Sequence, residues 1–177
     1  MSGIGCYPEI VTVNRHEDAI DMNSLMTTYF EVLHETEAIR GQILDSLNDA
    51  DLAFSLPNNP TLRELFEEMG AIEAFYSESF KTLRQDWATF RPTAPHPMTS
   101  IAALRAWFAA LDGELHSLLM GFSESDLDKI VERGFSLPVR VQAGIYREAL
   151  LIFYGKLSVY LKAMGKPLSE QMQGWIG

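Results

Sequence analysis

The sequence predicts an all-α protein that folds as a four-helix bundle. Four long segments carry apolar residues at every third or fourth position, which is the pattern of an amphipathic helix. Clusters of proline, glycine and asparagine separate these segments, and a chain of 177 residues is about one domain long. Four such helices bury their apolar faces most simply by packing around one common core.

The first helix is expected over residues 23–47, with Asn23 or Ser24 as its N-cap. Its predicted inward stripe consists of Leu25, Tyr29, Val32, Thr36, Ile39, Ile43 and Leu47. A turn-rich connection with the sequence NDADLAFSLPNNP follows, and it separates this helix from the next one.

The second helix is expected over residues 61–87, because Thr61 and Glu64 have the spacing of a capping box. The segment FRPTAPHPMTS contains three prolines and is therefore predicted to be a loop. The predicted inward stripe of the second helix consists of Leu62, Leu65, Phe66, Met69, Ile72, Tyr76, Phe80 and Leu83.

The third helix is expected to begin after a cap at Thr99 or Ser100 and to reach about Met120. The fourth helix is expected from about Arg140 to Met164, because a glycine and a proline follow it closely. A longer connection lies between these two helices, and its sequence favours a helical turn followed by a short extended stretch.

The predicted organisation is one domain with two flanking segments. We expect an irregular N-terminal segment over residues 1–22, the bundle over residues 23–167 and a C-terminal tail over residues 168–177. Residues 122–139 form the longer connection before the last helix, which leaves room for a topology other than simple up-and-down.

Composition excludes several classes of partner. The formal charge of −10 repels a phosphate backbone, so nucleic-acid binding is not expected. No run of apolar residues approaches the roughly 18 that a membrane-spanning helix needs, so no membrane association is expected. The single cysteine bears on location and not on partners. Cys6 is the only cysteine in the sequence, so an intramolecular disulfide is excluded and a cytoplasmic location is favoured. A packed or surface thiol is the simpler interpretation of Cys6, whose role stays open.

Two stretches resemble a known family. NPTLRELFEEMGAIEAFY and YREALLIFYGKLSVYLKAMGKP resemble the second and fourth helices of the DinB/YfiT-like superfamily, and the match spans about residues 24–167. The resemblance implies a four-helix bundle that often forms homodimers. It also implies a nickel or zinc ion held by three histidines, one on helix two and two on helix four. Some members of the family are thiol-dependent transferases.

The resemblance places the three metal-ligand positions on Glu68, Ala149 and Phe153. The match of FYGKL to the family's HRGQL fixes the two positions on helix four. Alanine and phenylalanine offer no donor atom, whereas a transition-metal site needs three or four protein ligands. We therefore expect a protein without a metal or another cofactor, in which the family's metal site is lost.

Two other pairs of residues have ligand-like spacing. Glu31 and His34 have the Glu-x-x-His spacing of di-iron bundles, but they point away from the predicted stripe and are expected on the solvent face. His116 lies one helical turn from Asp112, and a hydrogen bond on the helix surface is the simpler interpretation.

Charged side chains lie on two predicted inward stripes. Glu73 lies within about 40° of Met69 around helix two, and Lys156 and Tyr160 lie within about 20° of Ala149 around helix four. A buried charge needs a partner. Either Glu73 pairs with Lys156 near the family's metal position, or Lys156 extends to solvent while Glu73 binds water or a backbone group.

An open pair at this position would line a small polar ligand pocket, whereas a closed pair would be structural. The candidate pocket residues are Glu68, Glu73, Ala149, Phe153, Lys156 and Tyr160. The function favoured by the missing histidines is a small-ligand-binding or interaction module, or a degenerate relative of the metalloenzymes. The alternative is a thiol-dependent S-transferase with a non-histidine site, built from Glu68, Glu73, Glu148, Lys156 and Tyr160.

The sequence of helix four also predicts where the implied homodimer would form its interface. Leu150, Leu157 and Leu161 lie outside the inward stripe of this helix. A contiguous exposed apolar patch marks an interface, so we expect two copies to pair through these leucines. The ligand, the reaction and the geometry of the dimer do not follow from the sequence.

Overall fold

The computed structural model describes residues 23–176, and helices make up most of this range. The four long helices are α1 Ser24–Asp45, α2 Leu62–Thr82, α3 Ile101–Gly121 and α4 Val139–Ala163, and a short helix α5 Glu170–Ile176 follows them. Two short 3-10 segments, Asp49–Ala53 and Glu124–Asp128, lie in the connections. The predicted all-α class is therefore confirmed. The predicted N-terminal segment, with Cys6, lies outside the described residues.

The long helices form a bundle in which α1 and α2 occupy opposite corners. Helix α1 packs against α3 and α4, and α2 packs against the same two helices. Side chains from α1 and α2 therefore meet mainly across the interior of the bundle. This arrangement determines which charged groups meet in the core.

Local capping fixes where the helices begin. The Asn23 side chain accepts a hydrogen bond from the backbone N–H of Met26 at 3.0 Å, so Asn23 is the N-cap of α1. Its amide also donates to the backbone carbonyls of Leu119 and Phe122, which ties the start of α1 to the end of α3. The predicted capping box at Thr61 is formed, and Ser100 caps α3.

Helix α2 ends earlier than the sequence predicts. The helix stops at Thr82 rather than near Trp87, because Leu83 adopts a left-handed conformation with φ of 55°. The main chain after Leu83 is extended instead of helical and bonds to Glu132 in the connection before α4.

The connection before α4 contains the extended stretch that the sequence predicts. Strands β1 Ile130–Glu132 and β2 Ser136–Pro138 form an antiparallel hairpin in which Val131 pairs with Leu137. Both of these side chains are buried against the bundle. The hairpin therefore closes the end of the core near the start of α4.

The predicted dimer patch on α4 is wrong. Leu150, Leu157 and Leu161 are each at most 1% exposed, because α4 packs against α1 on one side and α2 on the other. Its buried face is therefore wider than a single stripe. The apolar residues that α4 exposes are different ones, namely Val141, Ile152 and Val159.

The segment expected as a C-terminal tail contains α5. Met172 on this helix is buried against the core. Gln171 accepts a hydrogen bond from Gln42 and donates one to the backbone carbonyl of Glu35, so α5 is fixed along α1. Residues after the bundle therefore add to its packing.

Candidate functional site

A charged cluster lies in the interior of the bundle. Glu73 on α2 is fully buried, and Arg40 on α1 donates from Nη1 to Glu73 Oε2 at 2.6 Å. The other end of the guanidinium is hydrogen-bonded to Asp112 on α3. The guanidinium also lies 4.1 Å from the centre of the Phe108 ring. One arginine thus connects three helices across the core.

Burial raises the pKa of the Glu73 carboxyl above its ordinary value. Arg40 opposes this shift, but the Asp112 carboxylate adds to it because two acids share one guanidinium. Among the described residues, no donor contacts Glu73 Oε1, which is fully buried. A proton on Glu73 is therefore favoured, since it removes a charge that the site cannot fully compensate.

A second acid–base pair lies on the outer side of this cluster. His116 Nε2 on α3 is 3.0 Å from Glu37 Oε2 on α1, and the hydrogen bond to Glu37 raises the pKa of His116. The predicted hydrogen bond between His116 and Asp112 along α3 gives way to this link between helices, because Asp112 bonds to Arg40. The His116 ring also packs edge-on against Phe30.

Two tyrosines of α4 face the charged cluster. The hydroxyl groups of Tyr146 and Tyr154 are buried and have no hydrogen-bond partner within residues 23–176. Burial raises the pKa of both phenols, so both stay uncharged. These hydroxyls are therefore polar groups held in the core next to Arg40 and Glu73.

The predicted pair between Glu73 and Lys156 is not formed. Lys156 is exposed, its Nζ lies 3.7 Å from Glu68 Oε1, and it sits 4.6 Å from the centre of the Phe153 ring. Glu73 is instead reached by Arg40 from the opposite corner of the bundle. Lys156 thus extends to solvent, as the alternative interpretation predicts, but the partner of Glu73 is a guanidinium and not water or backbone.

Three of the predicted pocket residues line one open cleft. Glu68, Lys156 and Tyr160 lie around a space of about 300 Å³, together with Leu56, Asn59, Pro60, Leu65 and Val159. The Tyr160 hydroxyl donates to the backbone carbonyl of Pro60 at 2.7 Å, which fixes α4 against the segment that precedes α2. The cleft therefore has apolar walls with one acid and one base at its edge.

The other three candidates lie elsewhere. Glu73 belongs to the interior cluster, Phe153 is buried beneath Lys156, and Ala149 is half-buried farther along α4. None of the three lines the cleft around Glu68. Ligand binding by this cleft stays a prediction.

The family's metal positions do not fit a metal ion here. Ala149 and Phe153 carry no ligand atoms, and the Lys156 ammonium lies near Glu68, where it would repel a cation. Within the described range, no three acidic, histidine or cysteine side chains are arranged to hold a metal. Glu31 and His34 are exposed on α1, which confirms their predicted place on the solvent face.

The sequence did not single out Arg40 or Glu37, and it paired Asp112 with His116 instead of with Arg40. A signal for Arg40 was present, because it lies four residues after Thr36 and three before Ile43, on the predicted inward stripe of α1. Arg40 therefore lies on the predicted inward face of α1 in the same way that Glu73 lies on the predicted inward face of α2. Asp112 lies one turn after Phe108 on α3 in the same way.

Comparison with known proteins supports the fold. No protein-family model and no curated protein matches the sequence. Among solved structures, the chain is similar to a DinB-like protein from Bacillus cereus ATCC 10987, with a TM-score of 0.62 and 15% sequence identity. The similarity covers 79% of this chain and 92% of that one.

The chain has a DinB-like fold, as the resemblance of its second and fourth helices predicts. At this sequence identity, the similarity concerns the fold alone and carries no activity across. Every helix within residues 23–176 is too short or too polar to cross a lipid bilayer.

Proposed function

We propose that this protein is a metal-free, small-ligand-binding module of DinB-like fold that works as a homodimer in the cytoplasm. The observation that carries the proposal is the cleft around Glu68, Lys156 and Tyr160, which lies next to the family's metal positions. Its volume of about 300 Å³ is at the small end of the range of ligand pockets.

The walls of the cleft indicate the ligand's chemistry. Leu56, Leu65 and Val159 provide apolar surface, and the Lys156 ammonium provides one exposed positive charge. A small ligand with an apolar body and one carboxylate group would place the body on these walls and the acid on Lys156. The pairing of Lys156 with Glu68 is loose at 3.7 Å, so a ligand acid can replace it.

The alternative, an S-transferase with a non-histidine site, has less support. Its five residues do not converge, because Glu73 is buried with Arg40 and Glu148 lies exposed on the outer face of α4. Only Glu68, Lys156 and Tyr160 share the cleft. A larger depression of about 500 Å³ near Trp87 and Arg133 lies at the other end of α2, away from these residues.

Ligand binding can be tested by nuclear magnetic resonance with a set of small aliphatic and aromatic carboxylates. We expect shifts of amide signals around Leu65 and Tyr160, and we expect Lys156→Met to abolish them. Lys162→Met is the matched control, because Lys162 lies on the same helix outside the cleft. Binding that survives Lys156→Met unchanged would contradict the site. Stoichiometric nickel or zinc in the purified protein would contradict the proposal that the protein is metal-free.

A further inference from the structure

The outer face of α4 carries a stripe of exposed apolar side chains. Val141, Ile152 and Val159 are 45%, 63% and 54% exposed. Their spacings of eleven and seven residues correspond to about three and two helical turns, so the three side chains lie on one face. Branched apolar side chains that follow one face of a helix form a surface against which a partner helix can pack.

The residues of this face are arranged symmetrically about Ile152. Ile145 and Val159 lie seven positions on either side of it, and Glu148 and Lys156 lie four positions on either side. When two copies of a helix pair antiparallel about a two-fold axis, each residue before the centre meets its counterpart after the centre in the other copy. Apolar residues then meet apolar residues, and the acid meets the base.

The charges of this face are free to pair with a second copy. None of the ion pairs between described residues involves Glu148, and Lys156 has only the loose contact with Glu68. Glu148 and Lys156 are eight residues apart on one helix, about 12 Å, so they do not pair within the chain. A two-fold partner brings Lys156 of one copy beside Glu148 of the other, twice per dimer.

Small residues allow the two helices to approach closely. Gly155 lies three positions after Ile152, and Ala149 lies three positions before it. An added Cβ at Gly155 would meet no atom within 4 Å, so the surface there is open. Small residues on either side of the centre suit an interaxial distance of about 8–10 Å.

We propose that α4 pairs antiparallel with α4 of a second copy about a two-fold axis at Ile152. The centre of α4, Val139–Ala163, is residue 151, so this register overlaps the helices along almost their whole length. The pairing brings the second copy against Lys156 and Val159, which form the α4 wall of the cleft. The inference specifies the homodimer of the proposed function, and in that dimer the Lys156 ammonium lies between the cleft and Glu148 of the second copy.

Charge reversal tests the register. In Glu148→Lys and in Lys156→Glu, like charges face each other across the axis, and we expect each variant to dimerise at least about tenfold more weakly. The double variant, Glu148→Lys with Lys156→Glu, restores opposite charges and is expected to recover the dimer. Sedimentation equilibrium measures the dissociation constants. Glu31→Lys, a charge reversal on the exposed face of α1, is the control and is expected to change nothing.

A cross-link tests the axis itself. Ile152→Cys in a Cys6→Ser background places the two thiols opposite each other, within reach of a disulfide if the helices pack at the expected distance. We expect oxidation to give a covalent dimer, whereas Met120→Cys, exposed on α3, is expected to give none under the same conditions.

The outcomes separate this inference from the proposed function. A dimer that is as strong as the parent in both single charge variants, with no cross-link at position 152, overturns the α4 register and leaves the homodimer standing. A parent chain that is a monomer at micromolar concentration overturns both the register and the homodimer. Ligand binding by the cleft is measured separately and can fail while the register holds.

Discussion

Arg40 on α1 and Glu73 on α2 are joined at 2.6 Å across the diagonal of the bundle, with both side chains almost completely shielded from solvent. Their helices pack mainly against α3 and α4 rather than against each other. Neither side chain can reach water without moving a helix, so the two residues are expected to depend strongly on each other.

Removing one member of this pair is therefore expected to destabilise the protein strongly. Arg40→Met removes the donor that Glu73 and Asp112 share, at a cost of about 3–5 kcal/mol, whereas Glu73→Leu leaves Arg40 bonded to Asp112 and is expected to cost less. The double variant is expected to lose less than the sum of the two single losses. Urea unfolding measures all four free energies. Arg105→Met is the control: its pair with Asp45 is largely exposed, and a loss below about 1 kcal/mol is expected. Additive losses would contradict the coupling.

The free energy of unfolding is expected to fall as pH rises between 4.5 and about 8, because the pKa of Glu73 is raised across this range. The native state keeps a proton on Glu73 that the unfolded state releases, so its contribution is complete below pH 4.5 and is lost through the raised pKa.

Glu73→Gln isolates this contribution, since the amide resembles the protonated acid. We expect a flatter pH profile than in the parent, measured by urea unfolding at several pH values. His116 also has a raised pKa and contributes with the same sign, but it is present in both proteins and largely cancels in their difference. Parallel profiles for the parent and Glu73→Gln would show that the acid is ionised in the native state.

Gly70 is expected to tolerate no side chain. An added Cβ would lie 2.5 Å from the Trp107 ring of α3, so Gly70→Ala forces α2 and α3 apart or displaces the indole. We expect a loss of about 1–3 kcal/mol in unfolding free energy. Gly113→Ala is the matched control, because its Cβ meets nothing and alanine favours a helix by up to about 1 kcal/mol. A second substitution, Trp107→Leu, is expected to relieve the clash.

The assignment of the family's three metal-ligand positions to this sequence can be tested by introducing the missing histidines. The triple variant Glu68→His, Ala149→His and Phe153→His is expected to bind one zinc or nickel ion per chain, measured by metal analysis after dialysis. The single variant Glu68→His is the control and is expected to bind none tightly. If the triple variant binds no better than the parent, the assigned positions are wrong.

Local chemistry made the helices predictable from the sequence. The capping boxes and N-caps involve residues three positions apart, so Thr61 with Glu64 fixes the start of α2 without help from the rest of the fold. The end of α2 was not predictable in this way. Leu83 is an ordinary core residue by type, and its left-handed conformation follows from the pairing of the next residues with the distant hairpin.

The interior pair shows where helical projection fails. An angle around the helix locates a residue relative to its neighbours, but it does not say which of those neighbours face the core. Lys156 lies within about 20° of Ala149, yet Ala149 is only half-buried and α4 buries the sides that carry Leu150 and Phe153, so Lys156 lies on the exposed face of the helix. The partner of Glu73 lies on α1, the helix diagonally opposite α2 in the bundle. The order of the helices around the core is set only when the bundle assembles, so the sequence of one helix does not reveal it.

The early end of α2 has a consequence for contacts between molecules. Strand β1 pairs with β2 on one side, and on its other side Glu132 bonds to the chain after α2: its N–H donates to the Leu83 carbonyl and its carbonyl accepts from the Gln85 N–H. The free side of β2 is three residues long and ends in Pro138, which has no N–H to donate. The hairpin therefore offers almost no edge on which a strand of another molecule could extend a sheet, and it is protected against aggregation by strand addition.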